Sequence, residues 1–228
     1  MNIKRSLQSL TKLEWSLWIA SLLVIGLSFF MGDISILNII GSLIGVTALI
    51  FISKGNVIGQ FLIVIFSILY GIISIAFGYY GEMITYMFMT TPTAILSIIS
   101  WVKNPYQENE VKVAKVTIKQ IIIMFILSII ITAIFYFILK YLNTENLIIS
   151  TISITTSFIA GYLTYLRSPY YALGYSANDI VLIILWLYAT FINITYFPMV
   201  LCFVMFLFND LYGLYNWQKM LKRQNQNK

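Results

Sequence analysis

Apolar residues fall in runs of about 20 along nearly the whole chain, broken by short clusters of charge, Gly or Pro. A run of that length spans the hydrocarbon core of a bilayer when coiled as a helix. Eight are predicted, over 14–32, 34–53, 57–78, 80–102, 118–140, 146–166, 177–194 and 196–217. Two boundaries, Gly78-Tyr79-Tyr80-Gly81 and Asn193 to Pro198, read as tight turns. The first run follows Lys4, Arg5 and Lys12 as a secretory signal would. Its one small-residue cleavage motif, Gly26-Leu27-Ser28, lies inside the apolar stretch, so a retained span is expected.

Polar residues inside these runs are few and fall on particular faces. In the last run, FPMVLCFVMFLFNDLYGLYNW at 197–217, Asn209, Tyr212, Gly213 and Asn216 share about a third of the helix circumference, with Asp210 and Trp217 beside them. Hydrocarbon offers no water to an amide or a carboxylate, so the stripe should face a cavity or a partner helix. The fourth run carries a second stripe, with Glu82, Tyr86, Met89, Thr90, Thr93, Ser97 and Ser100 on one face. For its hydroxyls alone, helix packing is explanation enough; Asn209 and Asp210 fit that account poorly. In the seventh run, Ser176-Ala177-Asn178-Asp179 has capping-box spacing, and Trp186 lies two turns beyond Asp179 on the same face. A Trp near mid-span favours a stacking surface for a flat ring, whereas Trp15, Trp18, Trp101 and Trp217, near span ends, read as interface anchors.

A shift of 116 residues superposes Tyr80 on Tyr196, Met83 on Met199, Met89 on Met205, Trp101 on Trp217, Lys103 on Lys219, Gly45 on Gly161 and aromatic Tyr70 on Trp186. The span boundaries superpose as well. The expected architecture is therefore an all-α integral membrane domain over 1–228: an extra N-terminal helix (14–32), a three-helix repeat (34–102), a linker helix (118–140) and a second, parallel three-helix repeat (146–217). Parallel repeats of this kind are one of the two symmetries of secondary transporters, with the site between repeats.

Composition agrees. Sixty per cent of the 228 residues are hydrophobic and 10% charged, and the mean hydropathy is +0.89, too apolar for a soluble domain. The net charge of +6 would point to nucleic acid in a soluble protein; here the positive-inside rule accounts for it. With eight spans and a cytoplasmic N-terminus, 13 of the 14 basic residues lie inside, only Lys140 falls outside, and Asp33, Glu82 and Glu145 occupy outer turns. A multi-pass plasma (inner) membrane protein with both termini cytoplasmic is the result. Cys202 is the only cysteine and there is no histidine, so neither a disulfide nor a metal centre is expected. Phosphate-loop and nucleophile-elbow motifs are absent, which argues against an enzyme and leaves no cofactor to hold.

YYGEM at 79–83, Pro92 and Trp101, RSPYYALGYSANDIVLIILW at 167–186 and FNDLYGLYNW at 208–217 together resemble the nicotinamide riboside transporter family, PnuC, over residues 34–220. The resemblance implies a three-one-three helix core like that of the SWEET sugar facilitators. It further implies facilitated uptake of nicotinamide riboside, with trapping by a separate cytosolic kinase. Thiamine or riboflavin is the in-class alternative, and a non-transporting vitamin-binding subunit of a larger energised transporter the alternative of another class. The chain departs from the family pattern in the fourth span, where Thr93 and Ser97 stand against Asn209 and Gly213 of the repeat partner. It departs also in the seventh, where Asn178 and Asp179 stand in place of paired Trp. The substrate-binding set expected is Trp186 and Tyr86 for stacking, Asn178, Asp179, Asn209 and Asp210 for polar contacts, and Tyr212, Asn216, Thr90 and Thr93 around them. The partners expected are the vitamin, the lipid bilayer and a nicotinamide riboside kinase, with a homo-oligomer left open and nucleic acid excluded.

Overall fold

The computed structural model describes residues 3–28, 30, 36–76, 78–107 and 110–226. Asp33 and Lys228 lie outside the described residues, as do the side chains of Lys4 and Arg5. The helices are α1 (Ile3–Gln8), α2 (Lys12–Ser28), α3 (Ile36–Ser53), α4 (Val57–Ala76), α5 (Tyr80–Ile84), α6 (Thr91–Val102), α7 (Ile118–Tyr141), α8 (Leu147–Tyr165), α9 (Tyr171–Ile192) and α10 (Phe197–Gln226). A π-helical turn, Thr85–Thr90, joins α5 to α6 in one span, and a small antiparallel hairpin pairs β1 (Pro105–Gln107) with β2 (Glu110–Val111). Each of the eight predicted runs is mostly helical over its described residues. Among the described residues, seven helices are long and apolar enough to cross a membrane; the first run, as α2, has 17 residues.

Local chemistry sets the helix ends. α2 opens on a reciprocal cap, Thr11 N–H to Glu14 Oε2 at 2.6 Å and Glu14 N–H to Thr11 Oγ1 at 3.3 Å. α7 opens on the same device, Thr117 with Gln120. α3, α4, α7 and α8 all close on a left-handed residue, Gly55, Gly78, Asn143 and Arg167, with φ from 51° to 70°. In each case the next N–H reaches back five residues, as Asn56 does to the Phe51 carbonyl at 2.9 Å and Ser168 to the Leu163 carbonyl at 2.9 Å. α9 starts at Tyr171, two residues after Pro169, so Ser176 and Asp179 lie inside the helix and the capping spacing there is not used.

Six spans close a ring: α3 packs on α4, α4 on α6, α6 on α8, α8 on α9, α9 on α10, and α10 returns to α3. α2 lies in the outer groove between α3 and α10, and α7 lies outside against α8. Large side chains along α7, among them Ile118, Ile129 and Phe137, are exposed; such a belt fits a hydrocarbon surrounding. The loops after α3, α6 and α8 and the end of α10 meet at one end of the ring. Val111 N–H bonds the Gly55 carbonyl at 2.9 Å, Ala114 N–H the Arg167 carbonyl at 3.0 Å, and Val113 N–H the Gln224 Oε1 at 2.8 Å. Lys54, Lys103, Arg167, Lys219, Lys222 and Arg223 belong to this end, called the basic end below.

Candidate functional site

Inside the ring lies a small cavity of about 40 Å³. That is room for a few waters, so a vitamin-sized ligand enters only if the wall side chains give way. α9 supplies the polar wall. Tyr171, Tyr175, Asn178 and Asp179 recur at four- and three-residue steps and so share one face, which turns into the cavity. Their height is set where α9 crosses α8. A Cβ on Gly174 would meet the Ala160 backbone at 2.8 Å, so only glycine allows that approach.

Asn178 is held by its own oxygen, which accepts from Ser153 at 3.1 Å and Thr156 at 2.9 Å. The carboxyls of Asp179 and Asp210, both buried, lie against one another in the wall, and Asp179 Oδ2 has no hydrogen-bond partner among the described residues. Among the described residues, no lysine or arginine lines the cavity. Two acids without a basic partner are costly to keep ionised in an apolar setting.

Aromatic rings close both ends. Towards the basic end, Tyr171 stands edge-on to Trp217 at 4.9 Å, and Trp217 packs on Trp101 at 5.3 Å. Trp101 donates from Nε1 to the Thr164 carbonyl at 3.0 Å and Trp217 to the Ile52 carbonyl at 2.8 Å. Both are fully buried, so the interface-anchor reading of this pair is corrected: the indole N–H groups are spent on helix carbonyls inside the protein. Towards the far end, Tyr86 and Phe66 line the cavity at 5.7 Å from each other. Tyr70 then packs on Tyr86 at 4.4 Å, and its hydroxyl accepts from Trp186 Nε1 at 2.8 Å. Trp186 meets Tyr79 and Tyr196 edge-on beyond that.

The expected site residues therefore divide. Asn178, Asp179, Asp210, Tyr86 and Thr90 come together around the cavity. Trp186 sits one layer further out, closing the far end rather than lining the cavity. The Asn209 stripe mostly faces helices. Asn209 donates to Ser21 Oγ at 3.0 Å, Tyr212 to Glu14 Oε1 at 2.8 Å and Asn216 to the Ser53 carbonyl at 2.8 Å, so α2 and α3 absorb it. Thr93 donates to the Met89 carbonyl at 2.8 Å and packs on Gly161. Tyr171 and Tyr175 are lining residues that the sequence analysis missed, although their spacing from Asp179 was a usable signal. Phe66 and Phe206 gave none, being aromatic rings in uniformly apolar runs. Glu82, expected in an outer turn, is fully buried in α5.

Outside the spans, burial holds the Arg167 guanidinium below its ordinary value, and its Nε and Nη1 find no hydrogen-bond partner among the described residues. No group of three or more acids and cysteines that would hold a metal occurs among the described residues.

Residues 35–219 match the family described as nicotinamide mononucleotide transporter. The chain belongs to that family. Among curated relatives of this transporter family, the nicotinamide riboside transporter PnuC of Neisseria mucosa is 28% identical over 193 residues, covering 82% of this chain and 73% of that protein. The nicotinamide riboside transporter PnuC of Haemophilus influenzae is 25% identical over 192 residues, covering 83% and 82%. The fold is similar to the crystal structure of the vitamin B3 transporter PnuC, with a TM-score of 0.86 and 27% identity over 97% of each chain. Membership of this family makes the chain a multi-pass membrane transporter and not an enzyme.

Proposed function

We propose that the chain carries nicotinamide riboside across the plasma membrane by facilitated diffusion. The observation that carries this reading is the paired carboxyls of Asp179 and Asp210 in an aromatic-walled cavity without a basic side chain among its described lining residues. Charge decides between the two ligands that the family and its relatives are named for. A mononucleotide would bring its phosphate against two acids and no cation. The riboside is a cation, and a buried carboxyl facing a pyridinium offsets part of the desolvation cost of each. Tyr86, Tyr171 and Tyr175 add ring faces for a flat cation. Asn178 and Thr90 stand ready for the hydroxyls and the carboxamide.

Two parallel three-helix repeats about a pseudo-twofold axis, joined by α7 as linker, are supported by the ring of contacts, in which moving from the first unit to the second exchanges one pair of neighbours for another. Tyr70 and Trp186, equivalent by the 116-residue shift, bond each other, as residues near such an axis would. The same shift relates Trp101 to Trp217, each reaching a carbonyl of the opposite unit. The two aromatic closures then act as gates, and binding alternates between ends. α2 is the eighth span, and the basic end is cytoplasmic. After Cys202 is replaced, cysteine at Glu145 should react in intact cells with an impermeant thiol reagent and cysteine at Lys112 should not; the reverse pattern would invert this topology.

Without a nucleotide-binding motif or a coupled ion the carrier only equilibrates its substrate, so net uptake rests on a separate cytosolic kinase that phosphorylates the riboside. In vesicles containing only this protein, labelled nicotinamide riboside should equilibrate and exchange. An imposed proton or sodium gradient should not concentrate it. Accumulation above the external level in that preparation would sink the facilitator reading.

A further inference from the structure

Glu82 takes no part in the cavity wall, and nothing packed around it pairs with its carboxyl. It is fully buried in α5, and neither carboxyl oxygen has a hydrogen-bond partner among the described residues. Ser153 of α8 stands beside it but donates its hydrogen to Asn178 at 3.1 Å. Tyr70, Tyr79 and Tyr86 lie within its electrostatic reach, and among the described residues no lysine or arginine does. The position leaves little slack, because a Cβ on the preceding Gly81 would meet Ser150 of α8 at 2.7 Å.

Three further observations tie this acid to the path. Glu82 precedes Tyr86 by four residues, one helical turn or about 6 Å along the axis, and Tyr86 lines the cavity. The π-helical turn Thr85–Thr90 begins directly after α5, and such turns concentrate at functional sites because the extra residue re-aims the side chains beyond it. The Tyr86 carbonyl accepts from both the Thr91 N–H and the Thr91 hydroxyl, which holds that turn in place. An unpaired carboxyl inside a span is costly to keep and has no packing value that leucine would not supply better.

We propose that Glu82 is a specificity-determining residue at the far end of the path, where its carboxyl recognises the positive charge of a flat heteroaromatic cation. A ligand arriving from that end meets acid twice, first at Glu82 and then, past Tyr86, at Asp179 and Asp210. The role is distinct from that of the central pair and rests on the riboside reading. It makes charge, rather than ring shape alone, a condition of passage.

The test compares nicotinamide riboside, a cation, with its dihydro form, which is uncharged and nearly the same size, by titration calorimetry on the detergent-purified protein. Glu82→Gln should weaken binding of the cation about tenfold, the scale of one charge-assisted contact, and leave the dihydro form unchanged. Its ligand-free thermal midpoint should not fall, since a buried carboxyl without a hydrogen-bond partner is replaced by an uncharged side chain of the same shape. Glu82→Leu should lose the same preference and serves if the Gln variant does not fold. Equal weakening for both compounds, or no change for either, overturns the proposal while the riboside reading stands. A native protein that binds neither compound overturns the riboside reading and this proposal with it.

Discussion

Nicotinamide riboside should bind the double variant Asp179→Asn, Asp210→Asn at least about a hundredfold more weakly than the native protein, because removing the acid from a buried charge pairing costs about 3 to 5 kcal/mol. The two carboxyls abut in the cavity wall, so either one alone retains part of the countercharge, and each single variant should fall between the native protein and the double. The uncharged dihydro form should lose little in any of the three. Thermal stability of the ligand-free double variant should be nearly unchanged, since asparagine keeps the shape of each side chain and can hydrogen-bond its neighbour as the paired carboxyls do. Titration calorimetry with both compounds reads the effect. Undiminished binding of the cation by a folded double variant would remove the cavity from consideration as the site.

Trp186→Ala should destabilise the protein by about 3 to 5 kcal/mol, the cost of emptying a large aromatic site in a packed core. Trp186 is fully buried, and its loss also strands the Tyr70 hydroxyl that accepts its N–H at 2.8 Å. Trp186→Phe should recover most of the packing. If Trp186 closes the far end without touching the ligand, the Phe variant should bind nicotinamide riboside within about twofold of the native protein, well under the stacking contribution of an aromatic side chain. Denaturation midpoints and calorimetry on the same preparations separate the two effects. A large affinity loss in a stable Phe variant would return Trp186 to the binding surface and mean that the cavity rearranges around the ligand.

Much of the fold is written in the alternation of apolar run and polar break. In hydrocarbon the backbone has only its own helix to bond, so run length and element length coincide. Gly55 and Gly78 close helices where their flanking runs end. The site was legible only in part, because a sequence stripe gives a helix face but not what that face meets. Asn209 and Asp210 are neighbours in sequence, yet about 100° of rotation sends one to Ser21 of α2 and the other into the cavity. Without the position of α2 the stripe looked like a single surface. Ser176 misled for a different reason: capping spacing says where a helix can begin, and Pro169 had already allowed α9 to begin at Tyr171. Charge asymmetry along the chain puts Glu82 in an outer turn, whereas α8 packs against α5 closely enough to cover it.

The segment that begins at the end of β2 bonds Gly55 of the first helical unit through Val111 and Arg167 of the second through Ala114. Three residues of fully extended chain reach about 10 Å, so while both bonds hold the two turns cannot part further than that stretch plus the bonds themselves. The stitch ties the two units together at this end, so a gap there wider than that short span would have to break one of the two backbone bonds.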